Sequence, residues 1–122
     1  MHKNMEDTKI ATINLDQYRS EDKTRKIKSK VFTGRDRGEM VRIASRIDKL
    51  ETLNDKVIIV IPADIYSINP SFFEELFLNV VLKLGKDSFL EKFSLRSQGE
   101  YDFQKEFMEA IDRILNDTTA IG

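Results

Sequence analysis

Val57-Ile58-Ile59-Val60-Ile61 is a run of five consecutive β-branched apolar residues. A run of that length between turn signals reads as a strand buried on both faces. Ten residues after it comes Ser71-Phe72-Phe73-Glu74-Glu75-Leu76-Phe77, which reads as the start of a helix. The chain is therefore expected to leave a central strand and enter a helix at Asn69-Pro70-Ser71. Backbone amides gather at a helix N-terminus, which suits a serine there to an oxyanion or a phosphate.

The 122 residues are enough for one domain with a single core. The reading divides them into a flexible leader (1–7), an α/β domain (8–116) and a frayed tail (117–122). Twenty basic and twenty-one acidic side chains give a formal net charge of -1, so no overall field favours nucleic acid or a membrane. Apolar runs fall well short of the roughly 18 residues that a spanning helix needs. The leader has no apolar segment of the secretory kind, and a cytoplasmic location is expected.

Cysteine is absent, which removes disulfides, thiol nucleophiles and thiolate metal sites. His2 is the one histidine, so Ser-His pairs and His-containing zinc sites are not expected in the domain. Carboxylates are plentiful, yet no pair of them has a spacing that singles out acid–base work. The chain reads as non-enzymatic, with no metal and no cofactor.

Along the chain, Thr8 to Leu15 reads as a first strand, and Arg25 to Phe32 alternates as a half-exposed second strand. Asp36 and Glu39 have capping-box spacing and would start a helix near Arg37, with Met40, Ile43, Ala44, Ile47 and Leu50 facing inward. A second, very apolar helix runs from Ser71 to Leu84 and stops at Gly85. Glu91 to Arg96 reads as a strand and Asp102 as the beginning of the last helix. The expected fold is a four-stranded mixed α/β sheet with about three helices, its first two strands paired as a hairpin.

This order of elements, with a hydrophobic strand leading to a serine at a helix start, resembles the STAS domains of anti-sigma factor antagonists. It is more closely similar to STAS-like domains of unknown function from bacteria, which carry Ser-Phe-x-x-Glu-x-Phe helices after the central strand; here the helix reads Ser71-Phe72-Phe73-Glu74-Glu75-Leu76-Phe77. The segments 34–42 and 85–95 also look like that family, and the likeness spans about Ile10 to Leu115. The resemblance implies a regulatory protein-interaction module. In it, Ser71 is the phosphorylation candidate and the partner is an ATP-binding kinase of the GHKL type or another regulator. Asn69, Pro70 and Phe72 stand where the antagonists carry an acid, a first serine and a small glycine.

Each signal also has an ordinary reading. Ser71 and Glu74 have capping-box spacing, which would make Ser71 an N-cap contributing about 1 kcal/mol. Alternatively Asn69 caps and Pro70 takes the first helical position. Lys23 to Lys30 holds five basic residues in eight, but without interleaved aromatics it reads as a solvated strand face rather than a nucleic-acid platform. Gly34-Arg35-Asp36-Arg37-Gly38 is either an anion-holding turn or a self-neutralised one. The expected partner surface comprises Ser67, Asn69, Ser71, Phe72, Glu74 and Glu75, with Arg35 and Arg37 nearby. A second reading is a structural or assembly subunit, with the apolar helix 72–84 buried against a neighbour or, in a homo-oligomer, against its own copy. A third, less favoured, is a nucleic-acid-associated accessory factor.

Overall fold

The computed structural model describes residues 8–121, with side chains up to 117; the expected leader 1–7 and Gly122 lie outside the described residues. Its centre is β5 (Lys56–Ile61), flanked by β1 (Ile10–Asn14) and β7 (Phe93–Ser97) in the order β1-β5-β7. Both pairings are parallel, with Ile13 opposite Ile59 and Ile59 opposite Leu95. Along β5, Val57, Ile59 and Ile61 are fully buried, while Ile58 and Val60 are half-buried. The expectation of a strand buried on both faces is thus met on one face. The other face carries Thr12, Ser94 and Arg96, all exposed.

Under the buried face lies α3 (Pro70–Leu84), flanked by α1 (Arg35–Ser45) and α5 (Gln104–Ile121). Two short helices, α2 (Ile47–Leu53) and α4 (Lys86–Lys92), complete the layer. Seven phenylalanines knit the core. Phe32 meets Phe72 at 4.9 Å between ring centroids, Phe77 meets Phe89 at 5.2 Å and Phe107 at 5.5 Å, and Phe89 meets Phe93 at 4.7 Å. Phe73 meets Phe107 edge-on at 5.8 Å. Aromatic pairs in such geometry are worth about 0.5–1.5 kcal/mol each beyond the apolar area they bury.

The expected four-stranded mixed sheet with about three helices does not form: among the described residues there are three small sheets, of three, two and two strands, and five α-helices. The cause lies in residues 21–32. Asp22 Oδ1 accepts from the amides of Thr24 (3.0 Å) and Arg25 (3.2 Å), and Lys26 takes a left-handed φ of 57°. The chain therefore folds back between β2 (Glu21–Asp22) and β3 (Ile27–Lys28), an exposed antiparallel hairpin outside the main sheet. Further on, β4 (Val31–Phe32) pairs in parallel with β6 (Ser67–Ile68).

Helix boundaries also differ from expectation. Arg46 adopts φ 56°, ψ 40° and divides the first helical segment into α1 and α2. The helix begins at Arg35 after Gly34, two residues before the expected capping-box start, and no side chain caps it. Its inward face is Gly38 and Val41, so Met40 and Ile43 are 36% and 66% exposed. Gly38 decides this. A Cβ there would meet the Phe72 carbonyl oxygen at 2.5 Å and Glu75 Cβ at 2.8 Å, so only glycine lets α1 approach α3 this closely.

Candidate functional site

The candidate site is built by the short β4–β6 pair. Phe32 stands opposite Ile68, and the Asn69 amide donates to the Phe32 carbonyl at 2.9 Å. Both chains then run on in the same direction and turn into helices, α1 at Arg35 and α3 at Pro70. Contacts farther along keep the two in step: Gly38 lies on Phe72 and Glu75, and Arg42 Nη1 donates to the Glu75 carbonyl at 2.5 Å. The N-termini of two parallel helices are thereby set side by side, a concentration of positive dipole ends.

At this junction Asn69 is the N-cap of α3. Its Oδ1 accepts from the Ser71 amide at 3.1 Å, and Pro70 fills the first helical position. Of the two arrangements open in the sequence, the structure has the second. Ser71 therefore occupies a position that needs no side-chain cap, and its Oγ lies at 3.1 Å from the exposed Asn69 Oδ1, to which it donates. At the start of α1 a cleft of about 580 Å³ is lined by Ser20, Thr33, Gly34, Arg35, Asp36 and Arg37.

Behind Ser71 runs a band of charge. Glu74, 3% exposed, takes Arg113 Nη1 on one oxygen at 3.3 Å and Arg35 Nη2 on the other at 3.5 Å. Glu75 takes Arg42 at 3.2 Å and Arg35 at 3.4 Å. Arg113 is held above its usual range, chiefly by its bond to Glu74, and it also reaches Glu109 at 2.7 Å. The band ties α1, α3 and α5 together.

No protein-family model, curated protein or solved structure matches this chain.

Of the residues expected at the partner surface, Asn69 and Arg35 are exposed, and Ser67, Ser71, Glu75 and Arg37 are half-buried around them. Two are corrected. Phe72 is fully buried against Phe32 and supports the junction from beneath, because the third residue of α3 points to the sheet. Glu74 is buried between two guanidiniums and offers little surface. Arg42 and Arg113 were not expected in the site. Arg113 had one legible sign, its place four residues after Glu109, a helical ion-pair spacing; its reach to Glu74 spans 39 residues and left no local mark.

Other clusters lie away from the junction. Tyr101 Oη accepts from the Ile68 amide at 3.2 Å and lies within 3.2 Å of the Ile68 carbonyl and 3.3 Å of Glu106 Oε2, one of which takes its proton. Burial, with the Glu106 carboxylate adding to it, pushes its hydroxyl up to about 12. Tyr101 thus clamps β6 from the loop after β7 and keeps the junction in place. The residue also lines a cleft of about 520 Å³ with Asp64, Tyr66, Glu100 and Asp102. Glu51 is 2% exposed on α2, with Lys83 Nζ at 3.1 Å from Oε1 and Lys92 Nζ at 3.5 Å from Oε2; the contact at Oε1 lacks hydrogen-bond alignment. Among the described residues no helix is long and apolar enough to cross a membrane.

Proposed function

We propose that the chain is a non-catalytic, cytoplasmic regulatory module that binds a protein partner through the junction of α1 and α3. A partner ATP-binding kinase switches that binding by phosphorylating Ser71, in the manner of the anti-sigma factor antagonists that the sequence resembles. The observation that carries the reading is the division of labour at the helix start: Asn69 does the capping, and the Ser71 hydroxyl stands at the rim, bonded to an exposed side chain. In the transfer, Ser71 Oγ attacks the γ-phosphorus of ATP, an O–P bond forms and the bond to the leaving ADP breaks. The hydroxyl proton passes to solvent or a kinase base. The product places about -1.5 to -2 charges at two helix N-termini.

Mass spectrometry of the protein from its native host is expected to find phosphate at Ser71. Ser71→Asp is expected to change the set of co-purifying proteins relative to wild type while leaving the melting temperature within about 2 °C. Absence of phosphate at Ser71, or an unchanged set, would overturn the reading. The assembly alternative finds less support, because Phe72, Phe73, Leu76, Phe77, Val80 and Val81 are buried in the chain's own core. For the nucleic-acid alternative, residues 23–28 are exposed but fold back around a hairpin turn, with Lys28 paired to Asp16 at 3.3 Å.

A further inference from the structure

Arg35 is the loosely held cation of the seam between α1 and α3. Its two contacts, 3.5 Å to Glu74 and 3.4 Å to Glu75, are at the long limit of hydrogen bonding, and its side chain is 58% exposed. Each carboxylate has a closer partner elsewhere, Arg113 at 3.3 Å for Glu74 and Arg42 at 3.2 Å for Glu75. Arg42 is anchored besides by the Glu75 backbone carbonyl. Without Arg35 each carboxylate keeps one guanidinium, on its Oε2, and gives up only a long contact at Oε1, so Arg35 is the most loosely held of the three arginines.

Register explains where Arg35 can go. The β4–β6 pair starts both helices together, and Gly38 lies against Phe72 and Glu75, so Arg35, one turn earlier, stands beside the first turn of α3. Its guanidinium now reaches along α3 to Glu74 and Glu75, the residues three and four positions after Ser71. Side chains so spaced are surface neighbours, about 5–6 Å apart at Cβ. A group that touches both carboxylates has the Ser71 side chain within the same patch.

We propose that Arg35 is the intramolecular receptor of a phosphate on Ser71, swinging from Glu74 and Glu75 onto the phosphoserine. This rests on the reading of Ser71 as a phosphorylation site. A guanidinium meets a phosphate through two parallel charge-assisted bonds, which are shorter and stronger than the two long single contacts it would give up. Glu74 and Glu75 repel a phosphate one turn away, and the transfer of Arg35 offsets that repulsion while Arg113 and Arg42 continue to neutralise the carboxylates. The exposed cation that an unmodified rim presents to a partner is then occupied, so one modification changes two features of the surface.

The test uses the full chain with phosphoserine installed at position 71 during translation, read by ³¹P NMR against pH. With Arg35 present, the second ionisation of the phosphate is expected below its ordinary value of about 6. In Arg35→Gln it is expected to rise by roughly half a unit to one unit, a three- to tenfold change in proton affinity. Arg35→Lys, which keeps the charge, retains part of the lowering, and the amide spectrum of each variant reports whether it folds. The same titration curve with and without Arg35, in folded protein phosphorylated at Ser71 in its host, would overturn the receptor alone. Absence of phosphate at Ser71 in the host would overturn the phosphorylation reading and the receptor with it.

Discussion

Arg19 holds three segments with one side chain. Its side chain is 5% exposed and donates to Asp64 at 2.9 and 2.8 Å, to Asp16 at 3.1 Å and to the Ser29 carbonyl at 2.9 Å. The loop after β5, the turn after β1 and the β2–β3 hairpin are all fastened to it. Hydrogen bonds to Arg19 are the leading cause that holds the carboxyls of Asp16 and Asp64 below their ordinary values. A carboxyl lowered in the folded state stabilises the fold above its unfolded value of about 3.9, and that contribution is lost as pH falls through the folded value. Both carboxylates are about half exposed, so solvent screens the pairs and the effect is modest. Arg19→Ala is expected to lose about 1–2 kcal/mol of unfolding free energy at pH 7. The gap to wild type should narrow below about pH 4. Urea unfolding at the two pH values checks both, and a gap that widens in acid would contradict the pairing.

Among the elements, the contact of α1 with α3 depends on one position. Alanine normally gains about 0.5–1 kcal/mol over glycine inside a helix. Gly38→Ala is expected instead to lose about 1–3 kcal/mol, because its Cβ would push on the backbone of Phe72 rather than on a side chain that can move. Thermal unfolding decides the sign. Elements whose cause is local were legible in the sequence: the β-branched run 57–61, and α3 with its Asn-Pro entry and Gly85 exit. Those set by distant partners were not. The inward face of α1 looked like Met40, Ile43 and Ala44 by periodicity, yet glycine packing turned the helix so that Gly38 and Val41 face α3. Residues 86–90 read as a connection and Glu91 as the start of a strand, but Phe89 enters the phenylalanine cluster, a short helix, α4, runs through Lys92, and the strand begins only at Phe93. The alternation from Arg25 to Phe32 was genuine and misleading, since Asp22 captures two amides and the hairpin turns before a long strand can form. Ser71 was legible as a helix-start serine, whereas the arginines of the site were brought there by pairings across 33 to 40 residues.

Taken as a whole, the molecule is a three-stranded parallel sheet with its helices against one face and a charged rim where two of them begin. Rigidity beneath the rim comes from buried aromatic rings, Phe32 and Phe72 directly under the junction. A change of charge at Ser71 therefore meets a stiff support and is read at the surface instead of being absorbed by rearrangement. That requires the serine to be idle in the fold, with Asn69 doing the work of the cap. Equilibrium unfolding of wild type, Asn69→Ala and Ser71→Ala under identical conditions decides the matter. Asn69→Ala should lose about 1 kcal/mol, the usual cost of removing a cap, and Ser71→Ala no more than about 0.5 kcal/mol. A loss of about 1 kcal/mol or more at Ser71, with Asn69→Ala near neutral, would make the serine a structural cap and contradict the switch.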